Sequence, residues 1–392
     1  GAILDVTTLV GADVDFSVTG NNVEHLASMI DQEFPVAGPF DVSGHLLCPS
    51  AKSYQVSHLK AVVEESRFEG EGTVNLENDP PIITSVVKAE TLNLVPFLNI
   101  QSNEEPSDSP TEAQRPGPKK EKRVFSDAPL PLQALNRVNA DLQIDAQRLR
   151  LPFLALTDLS TQIRLVKENL TVEPLKFVIA GGVFDGAFKI RQTEKAAIIE
   201  TAFQLDGSNL GDLFEPAGAA EFLNGIFDMD VNLVGKGNSI AQLMAGLSGK
   251  TAVIMKNGKM DQRLLGLIGS DLTTGLLELA NPFKKKNDYT RIHCLVCGLN
   301  VDDGLAETSA LVLDTDAVTV VGHGKADLKT ETLDVSFKPS PKKGLGIKGL
   351  GKLSLSLGEL TKPFKVTGTL ADPSLAVDPT ETFLTLGKAV GG

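Results

Sequence analysis

Five histidines and three cysteines carry most of the chemistry this chain could perform. Cys294 and Cys297 stand at C-x-x-C spacing, which suits a pair of zinc ligands or a redox dithiol. His293 and His323 could complete a zinc set on paper. The surrounding segment, Arg291–Val301, alternates like a strand, and residues three apart on a strand point to opposite faces. That separates the thiols, so the expectation is one cysteine buried as a small hydrophobe and no metal. His25, His45 and His58 are scattered. No G-x-S-x-G elbow, H-E-x-x-H pair or Walker loop occurs. Asp302-Asp303-Gly304 and Asp314-Thr315-Asp316 gather carboxylates at turn positions, where Asp serves the backbone. Neither has the ligand run of an EF-hand loop. Gly70-Glu71-Gly72, Gly235-Lys236-Gly237 and Gly322-His323-Gly324 lack the third glycine and the strand-to-helix context of a phosphate loop. The expectation is a non-enzyme without cofactor, catalytic residues or metal.

Composition narrows the partners. The chain has 392 residues, 42% of them hydrophobic, enough for a real core. Its formal charge is −13, which argues against nucleic acid, because phosphate binding needs clustered Lys and Arg. No stretch approaches the ~18 apolar residues of a spanning helix. The absence of Trp and the presence of only two Tyr leave no aromatic girdle for an outer-membrane barrel. Three cysteines make no disulfide framework. The chain opens at Gly1 directly into structured pattern, which reads as a fragment or processed chain.

Most of the sequence alternates apolar and polar at period two, the mark of half-buried antiparallel strands. In Val183–Ile190, Phe184, Phe188 and Ile190 share a face with Gly186, against Asp185 and Lys189. Ile198–Leu205 and Phe227–Leu233 repeat the pattern. Roughly 20 strands fit at typical lengths. Several strands are expected to end in an apolar residue, a spacer and Gly, as at Val42–Gly44, Phe68–Gly70, Phe184–Gly186, Val320–Gly322 and Val366–Gly368. Such glycines mark bulges or close backbone approach. Helices are expected at Asn22–Phe34, over Asn209–Asn224 with interruptions, and most clearly at Asp261–Leu279. The expected organisation is an N-terminal β-repeat segment (1–100), a disordered linker or long loop (101–123) and a C-terminal β-rich region (124–392). Lys338–Lys352 reads as a loose Gly/Lys-rich loop.

One pattern occurs twice. Shifted by 116 positions, Val56–Leu98 falls on Val172–Phe214 without a gap, with ten identities in 43 positions. Val56, Leu59, Lys60, Val62, Phe68 and Gly70 meet Val172, Leu175, Lys176, Val178, Phe184 and Gly186. Further on, Ile82, Ile83, Asn93 and Leu94 meet Ile198, Ile199, Asn209 and Leu210. Repetition of this kind copies one supersecondary unit to extend a sheet.

Three stretches resemble the AsmA family, including its AsmA-like C-terminal region. They are Pro39–Leu98, the run from "PLPLQALNRVNADLQIDAQRL" through "LTVEPLKFVIAGGVFDGAFKI" to "SNLGDLF", and "GLAETSALVLDTDAVTVVGHGKADLKTETLDVSFKPSPK" closing with "FKVTGTLADPSLAVDP". The family's turn before "LTVEPL" usually carries Asp-Gly; here it is Glu168-Asn169. The resemblance implies a bacterial envelope protein, periplasmic and held in the inner membrane by an N-terminal segment absent here. It further implies a part in outer-membrane assembly with outer-membrane assembly proteins as partners. TamB-like relatives imply phospholipid, or another envelope lipid, carried along a hydrophobic β-lined groove.

A mainly β, extended, curved antiparallel sheet of repeated units must cover its apolar face. It could close on itself as a sandwich, leaving a scaffold or interaction protein. It could instead stay open as a groove or taco-like trough, where an acyl chain gains about 0.8 kcal/mol per buried CH₂. Phe184, Phe188, Ile190, Ile199, Phe203, Val231 and Leu233 are the candidate groove wall.

Overall fold

The computed structural model describes residues 10–23, 38–98, 123–215, 223–261, 289–316, 318–342 and 363–377. The described chain is almost entirely β. Its first ten strands are β1 (Asp13–Gly20), β2 (Phe40–Ser50), β3 (Ser53–Val63), β4 (Ser66–Asn75), β5 (Ile82–Asn93), β6 (Asn139–Leu151), β7 (Leu154–Val166), β8 (Asn169–Ile179), β9 (Gly182–Gln192) and β10 (Ala197–Asn209). Eight more follow: β11 (Leu223–Gly237), β12 (Ser248–Asp261), β13 (Tyr289–Asp302), β14 (Leu305–Thr315), β15 (Val318–Asp327), β16 (Thr332–Pro341), β17 (Phe364–Thr369) and β18 (Pro373–Val377). The described α-helices are single turns: α1 (Val95–Leu98), α2 (Leu210–Phe214) and α3 (Ile240–Ala245). The expected mainly β architecture of repeated strand units is what the chain adopts, as open sheet and not as a closed barrel.

Two compact units divide the chain. The first comprises Gly1–Lys120 and Pro129–Ser208; the second comprises Glu121–Ala128 and Asn209–Gly392. In the first, β1 to β10 pair in sequence order, all antiparallel except β5 with β6. That pair is parallel, with Ile82 opposite Asn139 and Asn93 opposite Arg150. Parallel neighbours need a crossover of about a dozen residues or more. Residues 94–138 separate the two strands, and the expected linker or long loop, 101–123, lies outside the described residues but for Arg123.

The 116-residue repeat is realised in the backbone. Shifted, Ser53–Val63 lands on Asn169–Ile179, which are β3 and β8 to the residue. β4 and β5 land on β9 and β10 to within a residue at either end. Even the irregularities are copied. The β3/β4 register slips between Val56 and Leu59, and the β8/β9 register between Val172 and Leu175.

The glycines correct one expectation. Gly44, Gly70, Gly186 and Gly322 lie inside β2, β4, β9 and β15, and the strands run on past them. A Cβ at Gly70 would drive into the Val86 carbonyl, and one at Gly186 into Phe203 and the Ala202 carbonyl. Position 86 plus 116 is 202, so both copies keep the same close approach. The turn before β8 is corrected too. Val166 pairs with Asn169, and the two residues at positive φ are Lys167 (47°) and Glu168 (67°). Two such residues make the tight hairpin turn whose twist matches the strands.

Of the helix expectations, Asn22–Phe34 (from residue 24 on) and Asp261–Leu279 (from residue 262 on) lie outside the described residues. Asn209–Asn224 is not one helix. Asn209 ends β10 and caps α2, its side chain accepting from the Gly211 N–H at 2.9 Å, and β11 has begun by Leu223. Residues 338–341, expected as loop, complete β16.

Apolar residues gather on one side of the first unit. Ala89, Ala146, Leu149, Leu156 and Leu159 are buried, with Phe68, Ile144, Leu175 and Phe177 packed against them. Each fully buried leucine contributes about 1.5–3 kcal/mol. In the second unit, β11 to β18 form an antiparallel meander. Its segment at 123–128 is held by one carboxylate. Glu331, its side chain 3% exposed, accepts from the Val124 N–H at 2.6 Å, the Phe125 N–H at 3.2 Å and Arg123 Nε at 3.1 Å. The Ser126 carbonyl accepts from the Ala241 N–H at 3.0 Å in α3.

Candidate functional site

Residues opposite one another across a strand pair point to the same side. Following those pairs from β1 to β10 traces one unbroken row: Phe16, Gly44, Leu59, Gly70, Val87, Ile144, Thr161, Leu175, Gly186, Phe203. Eight of the nine steps are register partners. The remaining step crosses a bulge, where a Cβ on Gly44 would lie 3.3 Å from the Leu59 Cα. The row holds no charged residue. Aliphatic, aromatic and glycine positions alternate, so the wall changes depth along its length.

Five of the seven candidate residues fall together on this wall. Ile190 opposes Ile199, Phe203 opposes Gly186, and Phe184 and Phe188 flank Gly186 on β9. Phe184 stacks on Phe177 with centroids 4.2 Å apart and on Phe203 at 4.9 Å. Stacked rings at such spacings add about 0.5–1.5 kcal/mol per pair. Ile190 is buried at 8% exposure; Phe184, Phe188, Ile199 and Phe203 are half-buried. The other two candidates, Val231 and Leu233, lie on β11 of the second unit, opposite Thr251 and Gly249. Val231 is buried and Leu233 half-buried, on the face that carries Phe227 and Met229. None of the seven is exposed.

The two copies share register but not side-chain size. Phe68 sits between Ala61 and Ala89, and its counterpart Phe184 sits between Phe177 and Leu205. Sequence reasoning missed Phe177 and Leu205. The shift of 116 places them on Ala61 and Ala89, a substitution of large for small that signals a thicker wall in the second copy. It also missed Thr161. This residue is 5% exposed within the apolar row, and its hydroxyl has no hydrogen-bond partner among the described residues. A stranded buried hydroxyl costs about 1–3 kcal/mol.

The opposite face is hydrophilic. Lys176 pairs with Asp185 at 2.8 Å, Lys189 with Glu173 at 2.5 Å, and Arg191 with Glu200. The thiols follow the same division. Cys294 opposes Lys256 and Asp314, whereas Cys297 opposes Val253 and Leu311, so the two point to opposite faces. Burial pushes the Cys297 thiol up. His293 Nε2 meets Asp316 Oδ1 at 2.7 Å, and among the described residues no group of three or more metal-ligating side chains converges.

These features define a class: repeated-strand proteins whose sheet keeps one continuous apolar face. The model of the AsmA family matches residues 58–311, and the chain belongs to that family. It is similar to AsmA family protein YhjG of Escherichia coli (strain K12), 23% identical over 388 residues, which cover 96% of this chain and 54% of that protein. The chain thus spans about half the length of that relative. No solved structure matches.

Proposed function

We propose that the apolar wall of the first unit holds the acyl chains of a phospholipid or another envelope lipid, as part of outer-membrane assembly and lipid homeostasis. The observation that carries this reading is the row without a charge that crosses all ten strands and stays half-covered at its aromatic end. Apolar contact of this kind is non-directional, so a bound chain could move from one strand to the next without breaking a polar contact. The work proposed is binding and transfer, not catalysis. Family membership supports the reading that it works in the bacterial envelope, on the periplasmic side of the inner membrane.

A second reading has its own observation. At β5 to β7 part of the wall is closed, since Ala89, Ala146, Leu149, Leu156 and Leu159 are all buried, while Val87 and Ile144 are half-buried. A core closed along its whole length would leave a scaffold that binds envelope proteins through other surfaces.

Photo-crosslinking separates the two. A photoreactive amino acid at Ile199 or Phe203 should capture co-purifying phospholipid, detected by mass spectrometry. The same probe at Glu200 or Gln204, on the hydrophilic face, should capture at least tenfold less. Equal capture at all four positions, or none, would sink the groove and leave the scaffold.

A further inference from the structure

Two recesses of the first unit open on its hydrophilic face. One, of about 470 Å³, is lined by two cross-strand rows. Leu47, Gln55, Thr73, Thr84 and Asp141 form the first, each opposite the next. The second runs Glu71, Val86, Gln143, Gln162. The volume lies in the range of small-ligand sites, roughly 300–1,000 Å³.

No Lys or Arg lines this recess; of its ionisable lining residues, His45 is engaged by Asp13 and Asp15, Asp141 is paired with Arg164, and Glu71 adds a negative charge, so the lining offers no unpaired cation to a phosphate. Neutral hydrogen-bonding groups predominate. The Gln162 amide donates to Asp141 at 2.9 Å and the Gln143 amide to Asp145 at 3.3 Å, which turns both amide carbonyl oxygens free among the described residues. Gln55 has no side-chain hydrogen bond among the described residues, and Thr73 and Thr84 share one at 2.6 Å. Leu47 and Val86 add two aliphatic patches between these polar groups. A ligand matching this surface carries many hydroxyls, a C–H face and no negative charge. Strands carry every one of these groups, so the backbone fixes their spacing.

We propose that this recess binds an uncharged glycan, its hydroxyls on the glutamine and threonine row and its C–H face on Leu47 and Val86. The site is separate from the apolar wall and does not depend on lipid binding there.

The test titrates the full chain with maltose and with the N-acetylglucosamine disaccharide, read by saturation-transfer NMR. At least one sugar should bind saturably, and Gln143→Ala and Gln55→Ala should each weaken it tenfold or more. Gln55 is exposed and unpartnered among the described residues, so its truncation probes the site without touching the core. If Gln143→Ala loses its far-UV circular dichroism, Gln55→Ala alone decides. The proposal is overturned if neither sugar saturates, if binding survives in a folded variant, or if only a polyamine such as spermidine binds there.

Discussion

Thr161 places a hydroxyl where the sheet offers it nothing. Valine has the same shape without the stranded group, so Thr161→Val should raise stability by about 1 kcal/mol. A shift of the denaturant midpoint upward checks this; a downward shift would show that the hydroxyl has a partner in solution. Glu331 is the opposite case, a buried carboxylate with every need met. Burial by itself would raise its pKa, but the Val124 and Phe125 N–H groups and the Arg123 guanidinium outweigh that and hold it below the usual carboxylate range. A depressed pKa means the unfolded chain binds the proton more readily. The contribution of Glu331 is therefore complete above the ordinary glutamate pKa and disappears as pH falls through the depressed value. Glu331→Gln keeps one acceptor and adds a donor facing two N–H groups. It should speed trypsin cleavage after Arg123 at neutral pH several-fold, and an unchanged rate would count against the clamp. None of this was legible in sequence, because Glu331 and its partners are 206 to 208 residues apart and no local pattern links them. The aromatic wall was legible in part. Phe184 and Phe203 declare themselves by alternation, whereas their stacking depends on which strands are neighbours.

At the scale of the element, alternation located the strands and the shift of 116 matched one set to another. It could not show that strands continue through Gly70 and Gly186, since a glycine looks like a stop until its partner strand is seen. Those two positions give a paired prediction. Gly70→Ala and Gly186→Ala should each cost about 1–3 kcal/mol, because the new methyl meets a neighbouring carbonyl that the sheet cannot move. Denaturation of the two variants should show similar losses, and a neutral result at either position would break the equivalence of the copies. The parallel junction was equally hidden. Side-chain period is two in both kinds of pairing, so only the need for a long return path distinguishes β5/β6 from a hairpin.

At the scale of the whole molecule, the described strands pair in an order that follows the sequence within each unit. Stability in such an array is close to a sum of local terms. Amide hydrogen exchange on Gly186→Ala should therefore show faster exchange in β8, β9 and β10, with β12 to β15 protected as before; a uniform loss would mean that the chain unfolds as one body. The parallel junction has one more consequence. The matched copies are three strands each, β3 to β5 and β8 to β10, and each closes a run of five, β1 to β5 and β6 to β10. An unbroken meander would start the second copy upside down, with its hairpins on the wrong rim. One parallel step restores the direction, so β5 and β10 finish at the same rim. Units related in this way keep one strand direction, turned only by the twist of the sheet, and five strands span about 24 Å at ~4.8 Å per strand. A further unit joined by the same kind of step would lengthen the sheet without moving any hairpin to the other rim.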